Sequence, residues 1–564
     1  MRFGLEQEKM HLGLFFLTLL IPPVLYLARN LDDNRLTSWS WVFAAVDPGR
    51  LFLVLVAIAP FLWLLSRSSL PPVRQPLIPA LTAFGLSLLF LDVPEVIVDA
   101  SRYFVQAKFY REQGPLWFFQ EWGRGIFVWT DLPLMPWLYG LLFTLFGEVR
   151  LAAQLGNSAL FALAVYLVCL LGRDLWDEET GILAGFLLLG FPFLYTQVPL
   201  LLVDVATMTF LLLAMVTWHR ALTRGGGFRL LLAGVALAAA FLVKYSAWLL
   251  LTGLVPLFVL AAMADPRRVL RRGLLATLPA LFLLSLVLAA HWEVMAAQLE
   301  LLAVYQKPGL KRWSESLVST FLFQTHPLLT AGALYAGFLA WTRRDGRFLA
   351  VVFLLVLLLG ILEVRRIRYA LPVFPLVALA AAYGFRGVAD RQVRRHLVLA
   401  VVVPSLLLAW GAFRPFLQDM GEGNLQEAGA YLDRLEIARA TVFLLAAPEP
   451  VLDPRVSVPL LDIFTTRQLD YFPLLSAEEE RSGWAVASPL RFTWEFPLPP
   501  FYFQGEGKAP EAVVVISDTP QPKLPSTVVD LLALLPEKRE FSRTSEVFLH
   551  RTFVAVYHRA AVLP

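Results

Sequence analysis

Long apolar runs alternate with short polar connections along most of the chain. They cover residues 11–28, 50–66, 77–91, 151–172, 181–197, 205–219, 228–243, 246–263, 273–290, 325–342, 347–362, 369–385 and 397–413. Each approaches the roughly 20 apolar residues that a helix needs to cross a bilayer. A helix also satisfies its own backbone groups where no water is present. The pattern predicts about thirteen transmembrane helices. The run 133–147 (PLMPWLYGLLFTLFG) is apolar too, but it is short and holds two prolines and two glycines. It is expected to be a re-entrant or interfacial helix.

The loops fix the orientation. If the N-terminus is cytoplasmic and 133–147 does not cross, alternate loops collect Arg67 and Arg74, then Arg173, then Arg220, Arg224 and Arg229. The same side receives Arg267, Arg268, Arg271 and Arg272, then Arg343, Arg344 and Arg347, and last Arg386, Arg391, Arg394 and Arg395. Basic residues gather in cytoplasmic loops, so this arrangement is preferred. It places 30–49, 92–150, 198–204, 291–324, 363–368 and everything after 413 outside. The N-terminal stretch resembles a signal peptide but lacks a small-residue cleavage site, and is expected to stay as the first helix.

After about residue 413 the pattern changes. A polar amphipathic stretch (NLQEAGAYLDRLEIARA) leads into short strand-like runs at 441–446, 512–517, 546–550 and 552–558, joined by proline-rich connections. This predicts a small extracytoplasmic α/β domain. Three regions follow: two N-terminal transmembrane helices at 1–76, a transmembrane domain at 77–413 with the external loop 92–150, and the α/β domain at 414–564.

Composition narrows the function. Charged residues make up 16% of the 564 positions, against roughly a quarter in soluble domains. The net charge of +4 resides in loops beside apolar runs, so it signals a membrane surface and not a nucleic-acid partner. One cysteine, Cys169, excludes an intrachain disulfide, and none of the 7 histidines pairs at metal-binding spacing. There is no Walker loop, HExxH or nucleophile elbow, and no internal repeat of the kind many transporters carry.

The expected external face holds the candidate chemistry. The loop LDVPEVIVDASRYFVQAKFYREQG offers Asp92, Glu95, Asp99, Arg102, Tyr103 and Lys108. Any one of these acids is as readily a solvated loop residue as a base. Asp204 lies between apolar stretches, where a carboxylate usually faces a cavity or a partner; capping the following helix is the plainer alternative. Lys244 interrupts LAAAFLVKYSAWLLL, either to snorkel or to neutralise an anion. Arg365, Arg366 and Arg368 crowd a short external turn, with Lys307, Lys311 and Arg312 in another external loop. External basic clusters fit an anionic partner such as a lipid phosphate, which arginine binds through paired hydrogen bonds. The aromatic stretch 114–137 suits either an interfacial belt or the floor of a sugar site.

Four of these features, in this order, resemble the C-type glycosyltransferase superfamily (GT-C), in the branch of protein O-mannosyltransferases and lipid A aminoarabinose transferases. They are Asp99-Ala-Ser-Arg-Tyr103, the apolar helix from Pro133-Leu134 to Phe146-Gly147, Asp204 opening a span, and Arg368-Tyr369-Ala370-Leu371-Pro372. The resemblance covers about 77–390. Two departures stand out: Ala100 follows Asp99 where many relatives have Glu, and Leu132 precedes Pro133 where many have a second proline.

The resemblance implies a GT-C fold and an inverting transfer of a sugar from a polyprenyl-phosphate donor to a lipid, glycan or protein acceptor outside the plasma membrane. Asp99 is then the general base, and Asp204 orients its neighbourhood or binds sugar hydroxyls. Arg102, Tyr103, Lys244, Arg366, Arg368 and Tyr369 bind substrate, with the cations stabilising the departing phosphate. No cofactor is required on this reading, no metal ligands are assigned, and a divalent cation is possible. The other classes open to the sequence are a lipid or solute transporter and a non-catalytic scaffold.

Overall fold

The structure, a computed structural model, describes residues 2–68, 71, 73–96, 98–311, 314–361, 365–445, 452–474, 490–505, 510–542 and 552–559. Arg312 and the expected strand 546–550 lie outside the described residues. Eight described helices are long and apolar enough to cross a membrane: Glu8–Leu31, Pro48–Arg67, Arg150–Leu175, Asp204–Arg224, Tyr245–Ala262, Pro266–Gly309, Ile367–Arg386 and Arg391–Met420. Shorter apolar helices cover Leu77–Phe90, Leu134–Phe146, Gly227–Val243 and Gly346–Leu358. The molecule is a polytopic helical membrane protein with a small C-terminal sheet domain.

Two apolar runs fold differently from their expected single spans. The run 181–197 is broken into helices Glu178–Leu188 and Pro192–Gln197. Pro192, which lacks an N–H, takes the first position of the second helix, where none is needed, and Gly190 lies so close to Val401 that a Cβ there would come within 2.4 Å of its Cγ1. The run 273–290 belongs to a helix of 36 residues, Pro266–Leu301, bent where His291 leaves helical geometry (φ −132°, ψ 27°). Its far part was expected to be loop. At 1.5 Å per residue the whole helix is about 54 Å long, well beyond the roughly 30 Å hydrocarbon layer.

The bundle has two chemically distinct ends. At one end the arginine-bearing loops bind one another. Arg220 and Arg224 pair with Asp174, Arg386 and Arg394 with Glu179, and Arg67 with Glu8. Arg395 donates to the Ser68 carbonyl and Arg347 to that of Leu175. At the other end lie Asp204 and the loop 92–150. The helix Asp204–Arg224 joins the two ends: its 21 residues reach about 31 Å.

The Leu134–Phe146 helix has 13 residues and is too short to cross. It lies against the Asp204 end, where Tyr139 donates to the Leu202 carbonyl at 3.0 Å. Gly140 permits the close approach, since a Cβ there would meet the Tyr110 ring at 2.5 Å.

The last membrane helix runs to Met420, and the C-terminal domain opens with the helix Gly423–Leu432. Its sheet holds β1 (Arg439–Leu445), β2 (Gln468–Tyr471), β3 (Ala512–Ser517), β4 (Glu537–Ser542) and β5 (Phe553–His558), in the order β2-β1-β3-β5-β4. β1 lies parallel to β2 and β3, and β5 antiparallel to β3 and β4. Every residue of β3 is buried, as befits a central strand flanked on both faces. The domain docks on the loop 92–150. Lys108 Nζ lies 2.7 Å from both Asp462 and Glu148, and the Tyr502 hydroxyl donates to Asp462 at 2.7 Å.

Candidate active site

The acids and bases of the site sit where helices begin or break. Asp99 is the first residue of the helix Asp99–Gln113 and Asp204 the first of Asp204–Arg224. Both carboxylates therefore lie at the positive end of a helix dipole. Neither caps its own helix, so the capping alternative for Asp204 does not describe what its side chain does. Lys244 is the extended residue between two helices (φ −164°, ψ 141°), and Arg368 follows the extended residue Arg366.

These side chains form one ladder of alternating charge. Lys244 Nζ donates to Asp204 Oδ1 at 2.7 Å. Asp204 Oδ2 accepts from Arg368 Nη2 at 3.0 Å and from Nε at 3.2 Å. Arg368 Nη1 reaches Asp99 Oδ2 at 3.3 Å, and Asp99 Oδ1 accepts from Arg102 Nη1 at 3.1 Å. Arg102 then makes a two-pronged contact with Asp131, Nε to Oδ2 at 2.9 Å and Nη2 to Oδ1 at 3.0 Å. Gln106 adds a 3.1 Å bond to Asp131 Oδ2.

Exposure differs along the ladder. The Asp204 side chain is 1% exposed and that of Asp131 2%, whereas Asp99 keeps 23%. Asp99 is thus the most accessible of the three ladder acids. Burial pushes its carboxyl up, but the Arg102 and Arg368 guanidiniums outweigh that and hold it below the usual range.

A cavity of about 390 Å³ opens beside the Lys244 end. Leu249, Leu250, Leu299, Leu302 and Leu358 make its walls apolar, with Lys244, Tyr369 and Lys307 among its few polar groups. Lys244 Nζ stands 4.9 Å from the Tyr369 ring centroid. The extension of the long helix past His291 supplies one wall. There Gln298 donates to the Val128 and Asp131 carbonyls and accepts from the Tyr245 hydroxyl at 2.6 Å.

The structure gathers Asp99, Asp204, Arg102, Lys244 and Arg368 into direct contact and sets Tyr103 and Tyr369 against the ladder's cations, Tyr103 lying 5.9 Å from Arg102. Arg366 sits within electrostatic reach of Glu315. The Glu315 carboxylate also takes the backbone N–H of Arg35 at 3.0 Å and of Ile367 at 2.8 Å. The connection after the first helix is thereby tied to the backbone next to Arg368.

Three contributors escaped the sequence reading. Asp131 stands 29 positions from Arg102, and Gln298 lies in a stretch expected to be loop. Phe492, from the C-terminal domain, lies with its ring 4.4 Å from the Arg102 guanidinium carbon. Nothing in its local sequence marks it. Among the described residues no group of three His, Cys, Asp or Glu side chains could hold a metal ion.

Likeness to a solved structure gives this bundle the GT-C fold. A family model described as dolichyl-phosphate-mannose-protein mannosyltransferase matches residues 131–292, which include Asp131, Asp204 and Lys244. The chain is similar in structure to ArnT from Cupriavidus metallidurans bound to undecaprenyl phosphate, with a TM-score of 0.52 and 12% identity over 85% of this chain and 97% of that one. The Archaeoglobus fulgidus oligosaccharyltransferase complexed with zinc and sulfate matches with a TM-score of 0.45 and 14% identity, over 78% of this chain and 68% of that one. No curated protein matches the sequence.

Proposed function

We propose that the protein transfers a sugar from a polyprenyl-phosphate donor to an acceptor on the extracytoplasmic face of the plasma membrane, inverting the anomeric carbon. The observation that carries this reading is the junction of an apolar cavity with a charge ladder at Lys244. A lipid-linked sugar needs both surfaces at once: a hydrocarbon-lined wall for the carrier and cations for its phosphate.

On this reading the carrier lies along the leucine walls and its phosphate meets Lys244, with Arg368 turning from the carboxylates toward it. The cations stabilise the charge that grows on the leaving phosphate. As Arg368 turns away, Asp99 loses one of the two guanidiniums that hold its pKa down, and its basicity rises. Donor binding thus arms the base. Asp99 takes the proton from the acceptor nucleophile as it attacks the anomeric carbon, and the bond to phosphate breaks on the opposite side. The arginine-rich end, and with it the N-terminus, faces the cytoplasm.

Each ladder acid is already neutralised by a cation, so we assign no role to a resident metal. Purified protein in nanodiscs, incubated with radiolabelled polyprenyl-phosphate sugars, is expected to release free lipid phosphate and labelled product, equally with and without EDTA. A folded protein that turns over no donor in the presence of lipid, glycan and peptide acceptors would refute the transferase reading. Turnover abolished by EDTA would refute the metal-free one.

A further inference from the structure

The arginine-rich end of the bundle holds a second cavity, of about 320 Å³, bounded by the ends of four membrane helices. Asp174, His219, Asp265, Arg268, Arg272 and Arg347 line it. Asp174 is held by Arg220 and Arg224, Asp265 by Arg268 at 3.2 Å, and Asp345 by Arg347 at 2.8 Å. Three guanidiniums, of Arg268, Arg272 and Arg347, and two carboxylates, of Asp174 and Asp265, therefore line the cavity, a local positive excess. Arg272 Nη1 is anchored on the Leu222 and Thr223 carbonyls, each at 2.8 Å, which fixes its guanidinium at the cavity. His219 Nδ1 is enclosed and has no hydrogen-bond partner among the described residues.

We propose that this cavity binds the phosphate of an anionic membrane phospholipid, in the leaflet opposite the active site. The guanidinium excess suits a phosphate oxygen. Basic pockets between membrane helices accept such headgroups. A lipid, and not a soluble phosphate, fits because the helices framing the cavity continue toward the bilayer centre with exposed apolar side chains. Val255 and Val259 are 56% and 51% exposed on one, and Leu270 and Leu274 are 54% and 60% exposed on the other. Acyl chains lie along them while the headgroup enters the cavity. The site is roughly 22–29 Å from Asp204 along the helix that joins the two ends, since its lining residues on that helix run from His219 to Thr223. It is independent of the transferase chemistry.

Native mass spectrometry of the full-length protein in detergent tests this, with phosphatidylglycerol, phosphatidylcholine or inorganic phosphate added. Wild type is expected to bind phosphatidylglycerol at least about tenfold more tightly than phosphatidylcholine, and the Arg268→Gln/Arg272→Gln double variant to lose that preference. Arg268→Gln alone, at a side chain 66% exposed, keeps the fold and still narrows the preference. Equal binding of the two lipids by wild type overturns the proposal, as does a preference that survives both substitutions. Displacement of phosphatidylglycerol by millimolar inorganic phosphate reassigns the cavity to a soluble phosphate compound and likewise overturns it.

Discussion

Arg368 grips Asp204 with two nitrogens, Nη2 at 3.0 Å and Nε at 3.2 Å from the same carboxylate oxygen. Lys244 holds the other oxygen, so this buried carboxylate pairs with two cations at once. Removing one member of a buried ion pair costs about 3–5 kcal/mol, because the partner is left charged and unpaired. Asp204→Asn should therefore lower the thermal midpoint markedly, and Asp204→Asn/Lys244→Met should recover part of the loss. Unfolding of the purified variants in one detergent checks both. An Asp204→Asn protein as stable as wild type would show that the pair does not anchor the helix.

Asp99 should behave in the opposite way. When it is replaced, Arg368 keeps Asp204 and Arg102 keeps Asp131, so no cation is stranded. Asp99→Asn is expected to cut kcat by a factor on the order of 10²–10⁴ while leaving the unfolding midpoint near wild type. Initial rates of lipid-phosphate release measure the first effect and calorimetry the second. Normal turnover in this variant would remove Asp99 as the base.

Much of this architecture can be read in the chain because a bilayer imposes a strict period: apolar runs of fixed length, with arginines between them. The ladder was half legible. Asp99, Asp204, Lys244 and Arg368 are charges where apolar or external context makes charge costly, so each stands out alone. Asp131 does not, because its meaning lies in a contact with Arg102 that only folding creates. The same limit hid part of the sheet. β4 reads EKREFS, with five of its six residues exposed on an edge strand. Charge there discourages pairing with other chains, and it also erases the apolar alternation that marks a strand. The far end of the Pro266–Leu301 helix was missed because its sequence, HWEVMAAQLEL, turns amphipathic as it leaves the hydrocarbon layer.

The C-terminal domain touches the ladder directly through Phe492. A cation–π contact contributes about 0.5–2 kcal/mol, more as water is excluded. Phe492→Ala should lower kcat/KM by an amount within that range and leave overall stability nearly unchanged. Phe492→Tyr, which keeps the ring, should restore activity. If alanine and tyrosine behave alike, the ring is not steering Arg102.

Glu422 gives the domain junction a pH dependence. Burial pushes its carboxyl up to about 8 from an ordinary value near 4.5. The folded state therefore favours the protonated form. The stabilisation is complete below about pH 4.5 and is lost as pH rises through about 8. The unfolding midpoint of wild type should fall between pH 6 and 9 more steeply than that of Glu422→Gln, as thermal scans across buffers would read. Parallel profiles would mean that another group sets the slope.

The ladder has a kinetic corollary. Lys244, Arg368 and Arg102 balance Asp204, Asp99 and Asp131, so the ladder itself carries no net charge. A glycosyl phosphodiester brings one negative charge, whereas the monoester left after transfer approaches two near neutral pH. The spent carrier is thus the better ligand for the same lysine and arginine. On the proposed reaction each cycle would end with its tightest complex, and the rate at which the empty carrier slips sideways into the bilayer would govern turnover.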